Sequence, residues 1–409
     1  MENLLIIINI CVGLIIIEII CFSLVKIVRS KFHWMITKKD EKPVLSKKGL
    51  EKFFEKGFDE ELGWVRKPNT NNEEYGKSNF VKWNINEKGA RVNPGYEEKE
   101  SLISCYGDSF TFARQVNDNE TWENELSKIM DSNIQNFGVG NYGIDQSFLR
   151  LKREYKSNKT KYVILGVVPD SIRRNLNFWK HYFEYGNTFG FKPRFILSEN
   201  KLELIKNPIN EKSKFEQYEK YLDEIKKYDY FYNKKFCKEM ISFPYSLTVL
   251  KNPLRNFSII YWILKIDFYK KMKKDVSKIE WNPMKIIMKI NLKWRIQLYK
   301  NEEAKNIFKK IIEEFIKFSK EEKFQPIFLM FPQKDDVLFI KSNYNFYEKF
   351  MNELQNINEL KIINLTEELL QENDLDKLYS DDNEYGGHFS KLGNKRIAEI
   401  INKKIKGFI

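Results

Sequence analysis

From Leu4 to Val25 the chain runs 22 residues with only Asn9, Glu18 and Ser23 as polar interruptions. A helix of that length crosses a hydrocarbon core of about 30 Å. A signal peptide is the rival reading, but the start Met1-Glu2-Asn3 carries no basic residue. Val25-Lys26-Ile27-Val28-Arg29 also offers no Ala-x-Ala cleavage site. The pattern therefore predicts a retained single-pass membrane helix over residues 4–28. Lys26, Arg29, Lys31, Lys38 and Lys39 follow it, and the positive-inside rule puts the remaining chain on the cytoplasmic side. Glu18 reads either as a polar contact with a partner helix or as a tolerated interruption.

Beyond the apolar run, residues 29–50 read as a basic linker. Residues 51–100 carry turn punctuation at Gly63-Trp64, Pro68-Asn69, Lys88-Gly89 and Asn93-Pro94-Gly95, which predicts loops and short strands. The pattern then changes. Leu102–Tyr106, Asn133–Phe137 and Tyr162–Leu165 are short, largely apolar runs of the kind buried in parallel sheets, with a helical stretch over Trp122–Met130 between the first two. Between about 200 and 320 strand signals stop. Phe215, Tyr218, Leu222 and Ile225 recur at helical spacing, as do Ala304, Ile307, Ile311, Phe315 and Phe318. Strands return at Ile327–Phe331 and Lys361–Leu365, and a last helix places Ile397, Ile401 and Ile405 on one face. Strands alternating with helices predict an α/β domain over 101–409, with a parallel sheet covered on both faces and a helical insertion at about 200–320.

Composition narrows the chemistry. Of 409 residues, 42% are hydrophobic and 31% charged, so the chain can fold around a core. Four cysteines and three histidines form neither a disulfide framework nor zinc-ligand spacing, so no metal or cofactor is expected. The net charge is +13. Residues 251–300 hold thirteen Lys and Arg against three acids, interleaved with Phe257, Tyr261, Trp262, Phe268, Tyr269, Trp281 and Trp294. Basic residues among aromatics suit a helix lying on an anionic membrane, one that would hold an active site facing the bilayer. An amphipathic cap with a solvated basic face and a groove for an acidic glycan are the alternatives. No DNA- or RNA-binding motif is present, so nucleic acid is not expected as a partner.

In a parallel α/β sheet ligands bind beyond the carboxyl ends of the strands. Three segments fall there: Tyr106-Gly107-Asp108-Ser109-Phe110, Asn136-Phe137-Gly138-Val139-Gly140-Asn141-Tyr142-Gly143, and Gly386-Gly387-His388-Phe389-Ser390. The first is not the Gly-x-Ser-x-Gly elbow of α/β-hydrolases, because Thr111 occupies the second glycine's place. A Ser after the first strand, a glycine-rich loop after the second and a His before the last helix suit a nucleophile, an oxyanion cradle and a general base. Arg173-Arg174 could bind an acidic sugar or phosphate, and Asp335-Asp336 is a further pair; helix-terminal surface charge is the other reading of both.

At these residues the chain resembles the SGNH/GDSL hydrolase superfamily. The likeness covers residues 101–195 and 324–405, plus a lead-in at 58–94 (Phe58–Trp64 and Asn86-Glu87-Lys88-Gly89-Ala90-Arg91) similar to bacterial members encoded among surface-glycan genes. The resemblance implies a flavodoxin-like three-layer sandwich, with Ser109 as nucleophile and His388 as general base. It implies an oxyanion hole from the Ser109 N–H, a second backbone N–H at Asn141 and an Asn side chain. Pro169 stands where that Asn belongs, which leaves Asn175, or Asn177, to replace it. Asp three residues before His would fall on Tyr385, so the third triad member is Asp382, with Asp381 and Glu384 nearby, or the pair acts as a dyad. Asp108, Arg173 and Arg174 are the expected substrate-binding residues. The implied activity is ester hydrolysis on an O-acylated carbohydrate or lipid-linked glycan. O-acyl transfer by the same nucleophile is the alternative, as is a catalytically inactive glycan- or membrane-binding scaffold.

Overall fold

The computed structural model describes residues 1–75, 80–380 and 387–408. Along the chain come helix α1 (Glu2–Lys31), strand β1 (Ser101–Gly107), α2 (Trp122–Met130), β2 (Asn133–Gly138), α3 (Ile144–Glu154) and β3 (Tyr162–Val167). Then follow α4 (Tyr245–Leu250), α5 (Pro253–Lys271), α6 (Asn282–Leu298), α7 (Glu302–Glu322), β4 (Gln325–Met330), β5 (Lys361–Asn364) and α8 (Lys391–Ile405). Shorter helical turns and two-stranded hairpins connect them. The chain divides into two compact units: Met1–Leu50, Asn177–Phe191 and Ser213–Asn291, and Glu51–Leu176, Lys192–Lys212 and Leu292–Ile409.

The larger unit is built on a five-stranded parallel sheet of order β2-β1-β3-β4-β5, the flavodoxin-like order expected. All five strands coincide with runs picked out by apolar patterning. β2 and β3 are buried along their whole length, which requires cover on both faces. On one face Ile103, Cys105, Ile134, Ile164, Leu329 and Ile363 share a core with Trp122 and Leu126 of α2 and with Ile397, Ile401 and Ile405 of α8. On the other, α3 and α7 pack together, with Phe148 edge-on to Phe318 at 6.4 Å, and Phe308 meets Phe328 of β4 at 6.2 Å. Strand order reverses direction at β1 and β3, so the crevice beyond their carboxyl ends is where this topology receives a ligand.

Two expectations need correction. The stretch 29–50 is an ordered part of the smaller unit, because Trp34, Met35 and Ile36 are buried and a helix already starts at Lys47. The insertion opens with an antiparallel hairpin, Arg194–Ser198 against Lys201–Ile205, and Phe215, Tyr218, Leu222 and Ile225 lie on three short helical segments rather than one helix. All four are buried on helical turns, as their spacing implied.

In the smaller unit buried polar groups are matched to backbone. The Asp229 carboxylate accepts from the N–H groups of Phe178 (2.7 Å) and Trp179 (2.9 Å) and from Asn177 Nδ2 (2.9 Å). His181 Nε2 lies 2.7 Å from the Asp40 carbonyl, and burial pushes this imidazole down to about 4 despite that contact. Helix α1 has no buried residue in its most apolar stretch and is long and apolar enough to cross a membrane, a property shared by single-pass anchors and signal sequences.

Candidate active site

The site of the larger unit begins with close approach. Gly107, Gly138 and Gly166 sit abreast in the sheet register at the carboxyl ends of β1, β2 and β3. The turn after β1 folds back over them. A Cβ on Gly107 would stand 2.0 Å from Thr111 Oγ1 and 2.1 Å from the Gly166 carbonyl, and one on Gly138 would stand 2.3 Å from the Phe112 N–H nitrogen. No other residue fits at either strand end. Thr111, which breaks the hydrolase-elbow pattern, donates its hydroxyl to the Gly166 carbonyl at 3.1 Å and pins the turn to β3.

Asp108 shapes the same turn from inside. It is fully buried, with Oδ1 accepting from the Phe110 N–H (2.8 Å) and Oδ2 from the Val168 N–H and Arg174 Nη1 (3.1 Å each). Burial pushes its carboxyl up while Arg174 and the two N–H groups pull it back. Arg91, in the lead-in, reaches under the following residues. Its guanidinium donates to the carbonyls of Phe112 (2.6 Å), Ala113 (2.9 Å) and Val116 (2.6 Å) and pairs with Asp118 at 2.8 Å. In the sequence Arg91 is only one residue of the lead-in; its role as the brace of this loop depends on a fold-back that no local pattern shows.

His388 arrives from the far end of the chain. The Ser390 hydroxyl caps α8 by accepting from the Gly393 N–H at 3.1 Å, and Ser380 donates backbone (2.7 Å) and hydroxyl (3.1 Å) hydrogen bonds to the His388 carbonyl. Buried Asn394 ties this segment to α2: Oδ1 accepts from the Trp122 N–H at 3.1 Å, and Nδ2 donates to the carbonyls of Phe389 (3.1 Å) and Ser390 (2.9 Å). The Phe110 ring supports the imidazole, centroids 4.8 Å apart. The outcome is His388 Nε2 at 2.8 Å from Ser109 Oγ, across 279 residues of sequence. Ser109 is 7% exposed. Asp382, Asp381, Glu384 and Tyr385 lie outside the described residues.

The loop after β2 supplies the opposite wall. Asn141 has φ +70°, a left-handed conformation that Asn tolerates better than most residues. Its neighbours are fixed: Trp64 Nε1 donates to the Gly140 carbonyl at 3.0 Å, the Tyr142 hydroxyl donates to the Trp64 carbonyl, and Arg174 Nη1 donates to the Tyr142 carbonyl at 2.9 Å. Asn175 is fully buried beside this loop, its Oδ1 2.6 Å from where a Gly143 Cβ would stand. Neither polar atom of its carboxamide has a hydrogen-bond partner among the described residues. Buried amides are rarely left so, and a ligand oxygen is one way to complete such a group. Asn177 is engaged elsewhere, by Asp229 and the Trp179 carbonyl, and is not at this site.

The expected substrate-binding role of Asp108, Arg173 and Arg174 meets side chains already employed. Arg174 bridges Asp108 and Asp170, while Arg173 Nε donates to Asp170 at 2.5 Å. Asp170 also takes Arg295 Nε of α6 at 3.1 Å, and Arg295 in turn pairs with Asp335 (3.3 Å) and Asp336. All of these are buried, so they are not helix-terminal surface charges. Burial works against the Asp170 charge, but Arg173, Arg295 and Arg174 outweigh it and hold the carboxyl below the usual range. At Asp336 burial wins over Arg295, with Asp335 adding to the rise. Seven charges thus form one connected network behind the strand ends, a reason for their sequence proximity that Arg-Arg and Asp-Asp pairs alone cannot reveal.

No family model matches the chain, and no curated protein does. Among solved structures it is similar to a G-D-S-L family protein from Desulfitobacterium hafniense DCB-2 (11% identity, TM-score 0.34, 74% of this chain and 98% of that one). It is also similar to the acetyl xylan esterase AlAXEase (11%, 0.33, 74% and 98%). A third is a member of the lipolytic G-D-S-L family from Veillonella parvula DSM 2008 (10%, 0.32, 74% and 97%).

Proposed function

We propose that the chain is a membrane-anchored serine ester hydrolase of the SGNH type. The observation that carries this reading is the 2.8 Å approach of His388 Nε2 to Ser109 Oγ at the carboxyl end of β1, beside the loop of Asn141 and the unpartnered amide of Asn175. With Nε2 as the unprotonated nitrogen, His388 takes the Ser109 proton as Oγ attacks the ester carbonyl. The N–H groups of Ser109 and Asn141 and the Asn175 amide receive the developing oxyanion. As the carbonyl re-forms, the ester C–O bond breaks, His388 returns the proton to the leaving alcohol, and an acyl-Ser109 remains. Water activated by His388 then releases the acid; a sugar hydroxyl in its place would complete transfer instead. Asp382 is the proposed orienting carboxylate, and an O-acylated carbohydrate or lipid-linked glycan the proposed substrate, on the strength of the sequence resemblance. Helix α1 is the proposed anchor, with the basic residues after it favouring a cytoplasmic catalytic unit.

The test is labelling of the full chain in detergent with a fluorophosphonate probe and mass mapping of the adduct. An adduct on Ser109 that disappears in Ser109→Ala and His388→Ala is expected. A folded protein that takes no label, or labels equally without Ser109, refutes the assignment.

A further inference from the structure

Glu18, the one acidic residue inside the apolar run of α1, has a partner in its own chain. Its carboxylate accepts from the backbone N–H groups of Tyr245 and Ser246 (the latter at 3.0 Å), the first residues of α4, while Phe22 packs edge-on to Tyr245 at 5.2 Å. Thirteen residues further along α1, Lys31 pairs with Asp267 near the end of α5. Val25 and Val28 between them are buried. These contacts set α4 and α5 alongside the carboxyl half of α1, running the same way. At 1.5 Å per residue, Glu18 lies about 10 Å inward of Val25, where the apolar run ends. If α1 crosses a bilayer, α4 and the first turns of α5 are therefore inside the hydrocarbon of one leaflet.

The surface they present there is what a leaflet requires. Helix α5 is apolar on two sides. Ile259, Ile263 and Ile266 are buried in the unit, while Leu254, Phe257, Tyr261, Leu264 and Phe268, spaced three and four apart, form an outward stripe. Leu254 is 86% exposed and Phe257 52%, and the stripe continues backwards through Leu250 and Leu247. A helix apolar on two sides needs apolar cover on both. The opening N–H groups of α4 would have no water to bind at that depth, and the Glu18 carboxylate would be an unpaired charge; each answers the other. Over the second half of the stripe and beyond it the chemistry changes with depth. Lys265 Nζ lies 5.1 Å from the Trp262 ring centroid and 3.1 Å from Tyr261 Oη, and Lys270, Lys271, Lys273, Lys274 and Lys278 follow. Aromatics and then lysines are the sequence of a membrane interface. At the level of Lys31 a cleft of about 550 Å³, walled by Phe32, Ile263, Trp281 and Met284 with Lys270 at its side, has the make-up to take an acidic headgroup above a chain.

From this geometry we infer that α4 and α5 are a second membrane element, a wedge that enters only the leaflet on the carboxyl side of α1 and is pinned there by Glu18. The inference rests on α1 crossing the membrane, and the experiment separates the two. In the full chain with Cys11, Cys21 and Cys237 replaced by alanine, which leaves only the buried Cys105, one cysteine introduced at Ile16, Leu254, Phe257 or Ser277 is labelled with an environment-sensitive fluorophore. The protein is reconstituted in phosphatidylcholine–phosphatidylglycerol vesicles with or without nitroxide-bearing lipid. Quenching at 16, 254 and 257 at least twofold stronger than at 277 is expected. Quenching at 16 but not at 254 or 257 overturns the wedge while sparing the anchor. Absence of quenching at 16 refutes the anchor and the wedge with it. Cross-linking between chains through position 257, with no lipid quenching there, identifies a second copy as the occupant and also overturns the wedge.

Discussion

Replacing Asn175 by alanine separates a working amide from a structural one. The side chain is fully buried and makes no hydrogen bond among the described residues, so its removal breaks none. Shedding an unsatisfied amide recovers roughly 1–3 kcal/mol of desolvation cost, and the small cavity left behind takes back a similar amount. Stability should therefore stay within about 1 kcal/mol of the parent. If the amide holds the oxyanion, its loss costs about 3 kcal/mol in the transition state, a fall of roughly 10²–10³ in kcat with little change in KM. The assay is hydrolysis of p-nitrophenyl acetate, paired with denaturant unfolding of the same preparations. Asn394→Ala is the counterpart: three hydrogen bonds between α8, the His388 segment and α2 are lost, so stability should fall by roughly 2–3 kcal/mol. A kcat for Asn175→Ala within twofold of the parent, or a fall matched by an Asn394-like loss of stability, would refute the reasoning.

Two further expectations concern buried charge. Arg295→Met leaves Asp170, Asp335 and Asp336 without a shared countercharge and should cost about 3–5 kcal/mol at pH 8, less at pH 5 where Asp336, whose carboxyl burial already pushes up, takes a proton; urea titrations at the two pH values check it, and a loss under 1 kcal/mol at pH 8 would count against the network. In the smaller unit, burial lowers the His181 pKa to about 4, so the stability it contributes is complete above the unfolded value near 6.5 and is lost as pH falls through 4, on the order of 3 kcal/mol in all. His181→Gln should flatten unfolding free energy over that window, and curves parallel to the parent's would contradict the assignment.

The parallel sheet was legible along the chain because a strand covered on both faces must be apolar at every position, and β2 and β3 are. The α1 pattern was legible because it is one nearly unbroken apolar run, long enough for a helix that could cross a membrane. Ser109 and His388 could be singled out because each sits at a strand or helix end with glycine beside it. Their order along the chain suggested a nucleophile and a base, but their distance was not legible, since 279 residues separate them and the order β2-β1-β3-β4-β5 with α8 against α2 is what brings them to 2.8 Å. Charged side chains were the least legible of all. Arg173, Arg174, Asp335 and Asp336 look like surface or ligand-binding groups until Arg295 closes the network around them, and Glu18 looks like a blemish until α4 supplies its donors. A hydrophobic residue announces burial by its own transfer free energy, but the cost of a buried charge depends entirely on its partner. Which partner that is, only the folded chain decides.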